Sequence, residues 1–472
     1  MNRPSFSNAP LLALALFLLF PLAGPAQAAG SVLAVYNSGR AQVTESRVVT
    51  LPEGAAAVVF TDIPSTLDPS SIRATAPDMT VEDVQYAYRP ITAANLLNAY
   101  IGKELSVILP DPADANARIL RKAKLLANAD RPIFAMGKEV YVGSYEALLL
   151  PEMPKGFDAE PTLTLTTRSS VAGRKNVALS YLMDGLGWRA DYNLTVGQAG
   201  ETCDLDAWAT VTNNSDHAFP GADLRLVAGD VQRAAAPKML ARGNAVMAEA
   251  MVMDTAPAPA MAAEESFSQY HVYDPGRYVS IPASGSKQVG LFSAANIPVR
   301  TELSSLFRSG PNQRAGKINQ SVESALILTN TAANNLGKPM PAGVVRVYMP
   351  MASGTKLLAG EARIGHAAEG EEVRLVIGRS FDVNVERTQT SFKRIGKNAA
   401  EISWRITVRN GSAESRDIKL RESLAGQWTI LNADTPYVPT DAGTIEFDLK
   451  NVAPSAGTEG KAVNYTVRFE YS

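Results

Sequence analysis

Alternation with a period of two dominates this chain. After residue 160, apolar and polar residues exchange places in short runs, as at 162–166 (TLTLT), 177–182 (VALSYL), 192–196 (YNLTV), 224–227 (LRLV) and 344–348 (VVRVY). The C-terminal third continues with 373–377, 381–385, 402–408, 445–449 and 465–471, and Gly, Pro, Asn and Asp fill the gaps. Successive side chains of a strand point to opposite faces, so this period predicts half-buried strands. The runs at 32–36, 41–51 and 57–60 extend the pattern to the N-terminal part. Short strands at this spacing predict a mainly β, multidomain protein built of β-sandwich domains, not a sheet crossed by helices.

Three segments depart from the pattern. In 92–101 (TAANLLNAYI), Leu96, Leu97, Tyr100 and Ile101 share one helical face, with Thr92 as N-cap and Gly102 as a stop, which predicts a short helix. The segment 115–127 is rich in Ala, Arg, Lys and Leu and favours helix by propensity, but its length does not separate helix from strand. The segment 234–268 is rich in Ala, Met and Pro, follows one strand and precedes another, and reads as a long mobile loop.

The first 28 residues carry an address. Arg3 gives a positive start, 11–20 (LLALALFLLF) is an unbroken apolar run, and Ala26-Gln27-Ala28 supplies the small residues of a cleavage site. That order predicts a signal peptide cleaved near Ala28 and export, with the periplasm as the expected compartment and the cell surface or exterior as alternatives. The apolar run is too short for a permanent crossing, so no transmembrane span is expected. The rest of the chain is long enough for about three domains, each with its own core. Cys203 is the single cysteine, which excludes an internal disulfide, and its place before the alternating run from Leu205 reads as a reduced, half-buried thiol. The formal charge is −2 with basic residues scattered, so nucleic acid is not an expected partner.

Three sequence blocks carry a resemblance. The first is Tyr181-Leu182-Met183-Asp184-Gly185-Leu186-Gly187-Trp188-Arg189-Ala190-Asp191-Tyr192, followed by 208–213 (WATVTN) and 222–230 (ADLRLVAGD). The last comprises 341–348 (PAGVVRVY), 358–361 (LAGE) and 377–383 (IGRSFDV). Together they resemble the mucoidy-inhibitor-like (MuiA-like) family of exported bacterial proteins of unknown function, and the stretch 35–69 is similar to the front of its shorter members. The resemblance covers nearly all of the chain after the signal peptide and implies no agreed activity or catalytic residues. Members named for mucoidy often carry coiled-coil helices between the N-terminal and central parts; residues 91–160 lack such heptads. By resemblance this stretch is a small β module beginning at Gly102, which moves 115–127 towards strand. The resulting division is signal peptide 1–28, N-terminal β domain 29–90, small β module with a short helix 91–160, central β domain 161–385 containing the loop 234–268, and C-terminal β-sandwich 386–472. Within the blocks, Trp188, Arg189, Tyr192, Trp208, Arg346, Tyr348 and Glu361 are the candidate site residues. Trp188, Tyr192 and Trp208 are expected in a core or seam where aromatics meet over a sheet face.

Chemical motifs fare less well. Gly185-Leu186-Gly187-Trp188-Arg189-Ala190 is a GxGxxA with Asp204 and Asp206 downstream, but the next residues alternate like a strand. A dinucleotide site needs a helix N-terminus there, so a hairpin turn explains the glycines better. Gly310 to Lys317 is one residue too long for a phosphate loop and reads as a polar loop. Ser284-Gly285-Ser286-Lys287 satisfies SxxK without its supporting motifs and reads as a strand connection. His217, His271 and His366 share no metal-ligand spacing. Met239, Met247, Met251, Met253 and Met261 could offer thioethers to Cu(I), the weaker of two alternatives. The stronger alternative is a periplasmic hydrolase using two carboxylates on an envelope polymer. The leading expectation is a non-catalytic binding or structural scaffold of the cell envelope, with a protein or glycan partner and no nucleotide. No catalytic, metal or cofactor residue is assigned.

Overall fold

A computed structural model describes residues 27–111, 114–129, 131–157, 160–229, 263–267, 270–455, 457 and 459–470. The protein is mainly β, and its one α-helix among these residues is Ala93–Tyr100. The signal-peptide residues 1–26 and most of the loop expected at 234–268, with its methionines, lie outside the described residues. Ala263–Phe267, at the end of that expected loop, is instead an edge strand antiparallel to Tyr270–Asp274.

Three cores organise the chain. The first gathers residues from most of its length. Gln27–Tyr36 pairs antiparallel with Arg40–Leu51 and parallel with Phe219–Ala228, and Arg40–Leu51 pairs in turn with Gly173–Asp184. The three-stranded sheet of Gly54–Phe60, Thr162–Ser169 and Met79–Ala87 contributes to the same interior. So does the central sheet, in which Leu186–Val196 lies between Thr202–Asn213 and a parallel Gly343–Pro350. The segment 29–90 therefore shares its core with the central part. The physical reason is strand pairing: Arg40–Leu51 turns Val43, Val49 and Leu51 inward, and Gly173–Asp184 turns Val177, Leu179 and Tyr181 into the same interior.

The second core fills the C-terminal sandwich with Trp404, Phe447, Tyr465 and Phe469, each at most 1% exposed. Burial of such side chains stabilises by roughly 1.5–3 kcal/mol each. Two long strands run out of the first core into the second. Gly285–Ser309 places Val289 and Ile297 in the first and Leu303 and Phe307 in the second; Glu372–Ile395 divides Val373 and Leu375 from Val383 and Val385 in the same way. The sheet is thus continuous across residue 386. Lys461–Glu470 turns Val463, Tyr465, Val467 and Phe469 inward.

The third core is small: Tyr100, Leu105, Val107, Ala123, Leu125 and Phe134. Thr92 caps the helix by accepting a bond from the Asn95 amide at 3.2 Å, and Gly102 takes the left-handed φ of +82° that follows it. Residues 115–127 fall inside the strand Asp114–Asn128. Ala123 and Leu125 face the core while Lys122 and Lys124 are exposed, a two-residue period that overrides helix propensity.

The glycines of GxGxxA do not make a hairpin. Gly173–Asp184 and Leu186–Val196 belong to different sheets, and Gly185, at φ +88°, is where the chain crosses between them. Its amide donates to Gly39 O at 3.0 Å, and its carbonyl accepts from the Asn214 amide at 2.7 Å. Gly187 passes so close to Gly39 that a Cβ would stand 2.7 Å from that Cα.

Candidate functional site

The strand Leu186–Val196 has two working faces. Trp188, Ala190, Tyr192, Leu194 and Val196 turn into the first core. Trp188 Nε1 donates to Val227 O at 3.0 Å and meets Tyr273 edge-on at 6.2 Å, and Tyr192 OH donates to Pro341 O at 2.7 Å. Burial holds the Tyr192 phenol well above its ordinary pKa. Trp188 and Tyr192 are therefore core anchors. Trp208 does not join them: it lies between the buried Ala207 and Ala209, so it faces away from that core.

The outward face collects the other candidates. Asp191, 4% exposed, is paired in register with Trp208 on one side and Val344 on the other. Its Oδ2 accepts from Thr210 Oγ1 at 2.6 Å and Arg189 Nε at 3.2 Å, while Oδ1 meets Arg346 Nη1 at 3.3 Å. Arg346 Nε then reaches Glu361 Oε1 at 2.9 Å, and Gln288 Nε2 donates to Thr210 Oγ1 at 3.2 Å. Tyr348 stands two residues along from Arg346, opposite Thr195 in register. Five of the seven candidates thus share one sheet face, organised by a residue not among them. The signal for Asp191 was present, since Arg189 and Asp191 are two apart and so on one side of a strand. Thr210 and Gln288 carried no such mark, because only strand pairing brings them there.

The chemistry of this face is that of a lock. Both oxygens of Asp191 are engaged by donors, and Arg346 stands between Asp191 and Glu361, so neither carboxylate is a free base facing the other. What remains open are the Arg189 side chain, 63% exposed, and the flanking half-buried Trp208 and Tyr348.

Elsewhere, the carboxyls pushed upward by burial among the described residues are Glu45 and Glu422. Each is sealed in an ion pair, Glu45 with Arg47 at 2.9 Å and Glu422 with Arg387 at 2.6 Å. Cys203 is fully buried where a half-buried thiol was expected, and its pKa is pushed up to about 12 by desolvation, then by Asp204, so it is a poor nucleophile. His217 Nδ1 lies 3.4 Å from Asp62, His366 Nδ1 accepts from the Ala342 amide at 3.3 Å, and His271 lies in the strand Tyr270–Asp274. Among the described residues, no group of three or more His, Cys, Asp or Glu is placed to hold a metal ion. The glycine of SxxK opens the strand Gly285–Ser309, and residues 310–316 join that strand to Lys317–Thr329.

Comparison with known families bears on the same face. A domain of unknown function, DUF4139, matches residues 177–426, more than half of the chain and all of the outward network. The chain belongs to the DUF4139 family. An N-terminal domain of unknown function, DUF4140, matches residues 34–123. No curated protein matches the chain. The DUF4139 span contains both anchors, Trp188 and Tyr192, and the outward set around Asp191. It also contains the passage of the two long strands from the first core to the second.

Proposed function

We propose that this DUF4139 protein is an exported, MuiA-like envelope protein that acts as a non-catalytic β scaffold, binding a protein or glycan partner through the outward face around Asp191. The pairing of DUF4139 with DUF4140 supports the MuiA-like reading. The order of charge, apolar run and small residues before Ala29 supports export. One observation carries the binding role: Asp191 spends its acceptors on Thr210, Arg189 and Arg346, which fixes the two arginines while Arg189, Trp208 and Tyr348 stay open. Preorganised cationic and aromatic side chains reduce the ordering cost of binding.

The test is site-specific photocrosslinking in intact cells. A photoreactive residue at 208 or 348 is expected to give a discrete adduct, while one at Tyr278, which is 79% exposed on the other sheet, gives none. A protease-sensitive adduct identifies a protein partner and a glycosidase-sensitive one a glycan. Equal labelling at all three sites, or none, sinks the reading. Export is checked separately, by finding a mature chain that starts near Ala29 outside the cytoplasm.

A further inference from the structure

A cleft of about 610 Å³ lies between the helix Ala93–Tyr100 and the segment through which the chain leaves the small module. Arg89, from the segment entering the module, Lys103, just after the helix, and Lys155, from the exit, all line it. None of these three forms an ion pair among the described residues. Two of them are held by aromatic rings: the Arg89 guanidinium lies 5.3 Å from the Phe157 ring centre, and Lys103 Nζ lies 5.4 Å from that of Tyr100. A ring orients a cation without neutralising it, so the hydrogen-bond donors stay available.

The cleft wall is itself fixed. Tyr100, 2% exposed, donates from its hydroxyl to Glu152 O at 2.7 Å and accepts from the Glu152 amide at 3.2 Å, which ties the exit segment to the helix. Glu152 contributes the one carboxylate to the lining, against three cations. Three cations against one carboxylate leave an excess of positive charge, and a bound anion relieves the repulsion among them. The volume falls within the range of small-molecule sites.

We infer that this cleft is an anion-binding site for an oxyanion of at least two negative charges, phosphate or carboxylate, held by Arg89, Lys103 and Lys155. Because Arg89 and Lys155 lie on the two connections of the small module, a bound anion joins both connections and stiffens the module against the main body. The site is separate from the outward face around Asp191 and does not depend on it.

Calorimetric titration of the purified protein with inorganic pyrophosphate and with citrate tests this and separates the two chemistries. At least one probe is expected to bind with one-to-one stoichiometry, more weakly as salt rises. Arg89→Gln and Lys103→Gln are each expected to weaken it about tenfold or more, the scale of a charge-assisted hydrogen bond. Lys397→Gln, in a different cleft, leaves affinity unchanged. Both tested side chains are exposed, and unchanged circular dichroism confirms that the variants fold. Binding of neither probe, or equal affinity in Arg89→Gln, Lys103→Gln and Lys397→Gln, overturns the inference.

Discussion

Two buried glutamates on opposite faces of the C-terminal sheet show how surroundings decide the behaviour of one residue type. Glu302, 6% exposed, lies on the outward face beneath four cations: Lys419 at 3.1 Å, Arg374 at 3.2 Å, Arg421 at 3.3 Å and Arg300 at 3.6 Å. Desolvation pushes its pKa up, but hydrogen bonds from Lys419 and Arg374 and the charges of Lys419 and Arg421 outweigh it, so the pKa falls below the ordinary 4.5. Glu422, fully buried, faces inward beside one cation. Arg387 meets it at 2.6 Å, Tyr465 OH donates to it at 2.8 Å, and Phe307 lies 4.7 Å from the arginine. There desolvation wins and the pKa rises. The two environments alternate along the strand Arg416–Leu424, where Lys419 and Arg421 meet Glu302 while Leu420 and Glu422 enter the core.

The largest test of this contrast is Glu422→Ala, which leaves Arg387 buried without its carboxylate. A loss of about 3–5 kcal/mol in denaturant unfolding is expected, and replacing both residues by apolar ones of similar volume restores most of it. A loss under about 1 kcal/mol would mean that the pair is not the sealed one described.

The pH dependence separates the two acids by sign. Glu422 holds its proton above the ordinary value, so as pH rises through the interval up to its folded pKa the unfolded chain releases a proton that the folded chain keeps. Stability falls over that interval, and Glu422→Gln removes the fall. For Glu302 the order is reversed: its stabilisation is complete above the ordinary carboxylate value and is lost as pH drops through the lowered folded pKa. Glu302→Gln therefore flattens the acid limb. Unfolding free energies of both variants across the acid range check this, and slopes of the same sign would break the comparison.

The smallest expected effect is that of Arg300→Gln. Its side chain is 52% exposed and is also shared with Glu372 at 2.8 Å, so a change below about 1 kcal/mol in unfolding free energy is expected. A larger value would show that the outward network depends on its rim as well as on its buried centre.

Much of the fold was legible in the chain. The helix Ala93–Tyr100 announced itself through its cap and its apolar face, both local features. The strands announced themselves through alternation. The strand at 114–128 needed the pairing of its neighbours to overcome its helix-forming composition. Of the candidate site, the residue names were mostly visible, but Trp208 was expected beside Trp188 and Tyr192 and lies on the other side of the sheet. For Asp191, which organises the face, the sequence shows only its i, i+2 spacing from Arg189; its partners Thr210 and Arg346 arrive from strands far along the chain, so its organising role is set by strand pairing.

What the sequence by itself determined was the period: which residues alternate, where the one helix starts and stops, and that strands dominate. Alternation and capping are set by neighbours within a few residues, so one chain read alone contains them. Only the tertiary structure decided which sheet each strand entered. It made Gly185 a crossing between sheets, carried two strands through both large cores, and chose which apolar-compatible face met the interior. Those outcomes depend on the register of residues far apart in sequence, and a register change of one residue exchanges inside for outside all along a strand.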